Sequence, residues 1–259
     1  MAQSFYEPDG DRFVSTELTR GPWDPRFQHA GPPAALIGRE LERLEDADQF
    51  HVGRITFEIL RAIPIAPLRA EARVTRPGKR VQLLEASLSD QEGEVIRARA
   101  WRLRTAPVQL PGLPHSSPPS GPQSAEPGGF PDTGQEVGYH TAMEYRFLEG
   151  AFTEPGPATV WMRMRHPLVD GEEPSPLQRV LTAADSGNGV SVTLDWNRFL
   201  FINIDLTVQV ERPLDGEWVC LDAVTRPHSN GVGAADTVLW DERGQIGHAL
   251  QTLLISDRD

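Results

Sequence analysis

The chain has 259 residues, 39% of them apolar, with six Trp and ten Phe; that much apolar material can build a sizeable core and excludes global disorder. The formal net charge of -12 sets a field that repels phosphate backbones and anionic lipid, which argues against a nucleic-acid or membrane partner. No apolar run approaches the roughly 20 residues of a membrane span, and the length suits one large domain or two of roughly 100–150 residues.

The N-terminal run MAQSFYEPDGDRF lacks a basic segment followed by an apolar one, so the expected location is the cytoplasm. The first helix is expected from His29-Ala30-Gly31-Pro32-Pro33 into AALIGRELERL. Ala34, Leu36, Ile37, Leu41 and Leu44 form its apolar stripe, and the prolines suit a first turn. Alternating strands follow. RITFEILRAIP (54–64) ends in a proline, Val74-Thr75-Arg76-Pro77 marks a turn, and Asp90-Gln91-Glu92-Gly93 leads into VIRARAWRL. Residues 107–137, dense in Pro, Gly and Ser, read as a partly extended linker between expected domains at 1–106 and 138–259.

The second part repeats the first. NIDLTVQVERP (203–213) lies 149 residues after RITFEILRAIP, Val224-Thr225-Arg226-Pro227 lies 150 after its counterpart, and Asp241-Glu242-Arg243-Gly244 lies 151 after. Three matches in one order indicate duplicated domains. Ahead of these strands, Ser175 is the expected N-cap of a helix LQRVLTAADSGNG with Leu177, Val180, Leu181 and Ala184 on one face, and Gly187 or Gly189 is its expected stop. Each half is therefore an α+β unit in which a curved antiparallel sheet wraps one helix. Two such units can pair their sheets edge to edge, which protects the edges.

Signatures of familiar chemistry are absent: no GxSxG, Walker A, GxGxxG or HExxH, and no Cys/His spacing suited to zinc. The single cysteine, Cys220, lies among Trp218, Val219 and Leu221 and reads as a buried strand residue; one cysteine forms no internal disulfide and fits a reducing compartment. Three polar positions stand out in the second half. Asp185 falls one place past the helical stripe, Asn203 sits inside the apolar run FLFINIDL, and Gln251 lies among apolar neighbours in HALQTLLI. A carboxylate and two amides brought together can orient a water for attack on a carbonyl; separately, they are a solvated helix end and two satisfied strand polars. At the first helix, His29, Ala30 and Gly31 would present free backbone N–H groups to a developing oxyanion. Two basic clusters, Arg76/Lys79/Arg80 and Arg102/Arg104, read as a solvated turn and strand end, and are also where an anionic ligand, if one binds, would meet positive charge. His51, His115, His140, His166, His228 and His248 have no supporting context.

The segment GPWDPRFQHAGPPAALIGRELER, with SPLQRVLTAADSGNG, FINIDLTVQVERP and GQIGHALQTLL, resembles the double-hotdog acyl-CoA thioesterases, the bacterial type II group and its actinobacterial branch. The resemblance implies a tandem double-hotdog fold and acyl-CoA hydrolysis without metal or cofactor, with further association of chains into a homo-oligomer. It also implies that Asp185, Asn203 and Gln251 hold the attacking water; Asn203 departs from the hydroxyl more usual there. The alternatives are a hotdog hydratase acting on enoyl-CoA, against which stands the lack of a His close behind Asp185, a non-catalytic acyl-CoA binding protein, and an interaction module without a ligand.

Overall fold

In the computed structural model of the chain, residues 3–112, 116–130 and 133–258 are described. Parts of the expected linker, His115 included, and the outermost ends of both expected domains lie outside the described residues. The first half runs β1 (Tyr6–Asp9), β2 (Arg12–Ser15), α1 (Gly31–Glu42), β3 (Phe50–Ile59), β4 (Pro67–Arg76), β5 (Val81–Asp90) and β6 (Gly93–Arg104). The second runs β7 (Glu126–Pro127), α2 (Tyr139–Ala142), β8 (Met143–Ala151), β9 (Glu154–Met164), α3 (Pro176–Ala184), α4 (Gly187–Val190), β10 (Phe199–Asn203), β11 (Asp205–Val210), β12 (Val219–Pro227), β13 (Val232–Asp241) and β14 (Gly244–Asp257). The fold is α+β: α1 packs on β4 and β5, and α3 on β9 and β12.

The two sheets are continuous. Their order is β1-β2-β4-β5-β6-β3-β11-β14-β13-β12-β9-β8-β7, with β10 also pairing β14. The join is the antiparallel pair β3–β11, from Asp205 opposite Glu58 to Gln209 opposite Arg54. These are the strands matched by the internal repeat. At the centre Thr56 faces Thr207, and their Oγ1 atoms lie 3.1 Å apart in a hydrogen bond. Period-2 alternation turns Ile55, Phe57, Leu206 and Val208 inward, all fully buried. One apolar core therefore runs through both halves.

Ser175 caps α3 as the sequence suggests, its Oγ accepting the Gln178 N–H at 3.1 Å. Gly187 departs from expectation. It opens α4 rather than ending the chain's helical path, and Asp185 is the C-cap of α3. The Pro/Gly/Ser-rich segment also has more to bury than its composition suggests. The Trp161 indole donates to the Ser120 carbonyl at 2.8 Å and Arg146 to the Pro122 carbonyl at 3.2 Å, while Pro122 and Ala125 are buried against the second-half sheet.

The two long helices run antiparallel and touch. A Cβ on Gly31 would collide with the Thr182 carbonyl oxygen, and one on Gly38 would lie 2.5 Å from the end of the Leu181 side chain. The first obstacle is backbone and the second can rotate. Gly31→Ala is expected to destabilise the fold by about 1–3 kcal/mol, and Gly38→Ala by less. Denaturant midpoints at unchanged slope measure both; equal losses would mean that the helix approach is not limiting.

Candidate active site

The antiparallel contact places the C-terminus of α3 against the N-terminus of α1. Asp185, only 4% exposed, sits at that junction. Its Oδ1 accepts the Asn203 amide at 2.8 Å and the Gln251 amide at 3.2 Å. Its Oδ2 lies 3.1 Å from His29 Nδ1. The backbone N–H groups of Ala30 and Gly31 lie near the carboxylate and favour its charge. All six residues singled out from the sequence therefore meet at one point.

Each is delivered by its own local structure. Asn203 closes β10, and the register against β14 slips by one residue between Asn203, opposite Leu253, and Thr207, opposite Leu250. Such a slip re-aims a side chain; here the Asn203 amide reaches back to Asp185 and to the Asp205 carbonyl, 3.1 Å away. Gln251 faces the core from β14. Its Nε2 also donates to the Asp185 carbonyl at 3.0 Å, and its Oε1 accepts the Asn188 N–H at 3.1 Å.

Two sequence expectations change here. The N–H group of Gly31 is not free: it donates to His29 Nδ1 at 3.1 Å. Asp185 also has a His beside it after all, not from the residues that follow it but from the other half, where His29 arrives. His29 is in turn stacked on Tyr139, ring centroids 3.7 Å apart and 7° from parallel. The Tyr139 hydroxyl donates to the Thr182 carbonyl at 2.7 Å and lies 2.9 Å from Ser186 Oγ. Nothing in the sequence around Tyr139 marked it.

Burial pushes the Asp185 carboxyl up to about 7, against the pull of the hydrogen bonds from Asn203 and Gln251 and of the Ala30 and Gly31 N–H groups. Burial drives His29 well below its ordinary value, so its imidazole is neutral at pH 7. A proton between Oδ2 and Nδ1 makes their contact a hydrogen bond, and at neutral pH Asp185 is the group poised to gain or lose it.

Asp185, His29 and Asn203 line a cavity of about 340 Å³ bounded by both halves. Its other walls are mainly apolar and include Trp23, Phe27, Ile63, Phe130 and Trp196. The two basic clusters of the sequence lie away from this cavity. Arg76, Lys79 and Arg80 are exposed about the β4–β5 turn, and Arg102 is buried, its Nε held by the Gln82 side chain at 2.7 Å. The arginines that line the cavity are Arg20 and Arg61. Cys220 is buried on β12, and burial raises its thiol. Among the described residues, no group of three or more His, Cys, Asp and Glu could hold a metal ion, and no helix is long and apolar enough to cross a membrane.

Residues 19–103 match the acyl-CoA thioesterase N-terminal domain, and residues 118–255 the acyl-CoA thioesterase C-terminal domain. The chain belongs to the acyl-CoA thioesterase family. As a member it is a thioester hydrolase. Solved structures agree on the double-hotdog fold. A provisionally assigned thioesterase II from Thermobifida fusca superposes with a TM-score of 0.73 at 16% identity, covering 98% of this chain and 96% of that one. A hotdog-fold protein from Alicyclobacillus acidocaldarius gives 0.71 at 14% identity, over 98% and 96%. An acyl-CoA thioesterase II from Mycobacterium marinum gives 0.65 at 14% identity, over 90% and 91%. No curated protein sequence matches the chain.

The raised Asp185 pKa gives this thioesterase a stability signature. Unfolded, the carboxyl ionises near pH 3.9; folded, it keeps its proton to about 7. Over that window the native state holds the extra proton, so Asp185 lowers stability as pH rises. Asp185→Asn removes this slope. The variant is expected to gain on the wild type by about 1.4 kcal/mol per pH unit between roughly pH 4 and 7, as read from denaturant midpoints. A difference that does not change with pH would show that the carboxyl is not perturbed.

Proposed function

We propose that this thioesterase hydrolyses acyl-CoA by direct attack of water, with Asp185 as general base. The observation that carries this reading is a nearly enclosed carboxylate, raised to about 7 and opening onto an apolar cavity. A general base is most effective when its pKa lies near the working pH. The acyl group lies in the cavity with its thioester carbonyl beside Asp185. Asp185 takes a proton as water oxygen bonds to the carbonyl carbon. The tetrahedral intermediate then collapses, the C–S bond breaks, and the same proton passes to the departing sulfur, leaving the free acid, CoA and an ionised Asp185.

Asn203 and Gln251 are positioning residues: by donating to Oδ1 they fix the carboxylate and turn its other oxygen to the reaction. Asn203 lines the cavity as well, which supports its holding the water. The N-terminus of α1, with its positive end at this point, favours negative charge first on Asp185 and then on the carbonyl oxygen. His29 shares the Oδ2 side and restrains the carboxylate there.

Thiol release from short, medium, long and aromatic acyl-CoAs tests this directly. Asp185→Asn is expected to fold and to lose about 10²–10⁴ in kcat; unchanged turnover would remove Asp185 from the mechanism. Because the base must be ionised, kcat/KM is expected to rise with pH and level off above an apparent pKa near 7. A second reading, water addition to an enoyl-CoA, draws on the His29–Asp185 pair. Loss of enoyl ultraviolet absorbance without thiol release would favour it.

A further inference from the structure

We propose that the side chain of His29 holds the thioester carbonyl oxygen: the Nε2–H of its imidazole is the donor that meets the oxyanion as it forms. This rests on Asp185 being the base that delivers water to the same carbonyl carbon.

A neutral imidazole carries one hydrogen, and the partners of its two nitrogens decide where that hydrogen sits. Nδ1 accepts the Gly31 N–H at 3.1 Å, so Nδ1 is bare and the hydrogen is on Nε2. Burial keeps the ring from taking a second proton. Nε2 has no hydrogen-bond partner among the described residues, yet it is not sealed in the core. The side chain keeps 15% of its surface and lines the cavity beside Asp185. The two nitrogens point to well-separated sides of the ring. With Nδ1 turned to Gly31 and Asp185, Nε2–H is turned to the cavity.

Tyr139 fixes the ring in that orientation. It lies against the imidazole face, centroids 3.7 Å apart and 7° from parallel, and its own hydroxyl is anchored by the Thr182 carbonyl and Ser186 Oγ. A donor set in place beforehand needs no reorganisation when charge develops. The backbone at the head of α1 is already occupied: the Gly31 N–H is engaged on Nδ1, and that of Ala30 lies near the carboxylate.

The arrangement also couples donor to base. Asp185 Oδ2 lies 3.1 Å from Nδ1. Once Asp185 has taken the proton of water, its Oδ2–H can donate to Nδ1, and a hydrogen bond into one end of the ring strengthens the donor at the other. The oxyanion meets its strongest donor as it is formed. His29 itself gives up no proton: the water oxygen bonds to the carbonyl carbon, the π pair moves to oxygen, and the C–S bond breaks as that pair returns.

Three measurements test this. Nitrogen-15 spectra of histidine-labelled wild type are expected to show Nδ1 bare and Nε2 protonated from pH 5 to 9; a protonated Nδ1 would overturn the proposal. His29→Phe keeps the stacked ring and loses the donor. It is expected to lose about 10²–10³ in kcat with KM little changed, and His29→Gln, which restores an N–H, to recover part of the loss; unchanged kcat in His29→Phe has the opposite meaning. Octanoyl-CoA labelled with carbon-13 at the carbonyl, added to Asp185→Asn, is expected to show a carbonyl stretch lowered from that of the free thioester, and His29→Phe in the same background to abolish the shift. A merely structural role for His29 would not lower the stretch, and a stretch equal to that of the free thioester sinks the idea. If Asp185→Asn keeps its turnover while His29→Phe loses it, the base reading falls and the donor stands; the reverse pattern removes the donor and leaves the base.

Discussion

A carboxylate taken out of water must find donors or give up its charge, and the molecule is organised around that requirement at Asp185. The donors come from three places: the backbone at the head of α1, an amide on β10 and an amide on β14. None of these elements could serve alone. The head of α1 belongs to one half and the carboxylate to the other, so the site exists only because the halves are locked together. The close approach at Gly31, the continuous sheet and the slipped register at Asn203 are all means to that end. The donors do not fully offset burial. The remainder leaves the carboxyl near neutrality, which in the proposed mechanism is stability given up for a general base.

Antiparallel helices have two ends, and the second is informative by contrast. There Glu42, at the tail of α1, meets the head of α3, where the Ser175 hydroxyl donates to it at 2.6 Å and the Gln178 amide lies 3.3 Å away. A cavity of about 390 Å³ opens beside it. The arrangement echoes Asp185, but the supporting strands have diverged. His51 is committed to the Val210 carbonyl at 2.7 Å and Arg102 to Gln82 and the Glu45 carbonyl. At this end a side-chain cap and one amide from the same helix serve the carboxylate, without strand amides.

What the sequence made legible follows from which physics is local. The duplication showed itself through strand and turn signals, because those depend on residues close in sequence. Asp185, Asn203 and Gln251 stood out because each is polar where its neighbours demand burial. That these residues would converge on one carboxylate, and that His29 would lie against it, are long-range facts. No spacing rule connects His29 with a helix in the other half. The expectation of free N–H groups at the head of α1 failed for a related reason: local geometry shows that they are unpaired within the helix, not what is brought to meet them. The Pro-rich segment misled through composition. Its carbonyls find Trp161 and Arg146 in the second-half sheet, and those partners leave no mark on the segment itself.

The pairing of Phe57 with Leu206, repeat counterparts 149 residues apart that face one another across the join, has a historical consequence. In an assembly of two separate, identical subunits, a residue on the symmetry axis meets its own copy, and every substitution is made twice at once. Joining the copies in one polypeptide ends that doubling. Each helix end, strand and hydroxyl can then vary while its counterpart stays fixed. The unequal surroundings of Asp185, served by two strand amides, and Glu42, served by a helix cap and an amide of the same helix, are what that freedom permits.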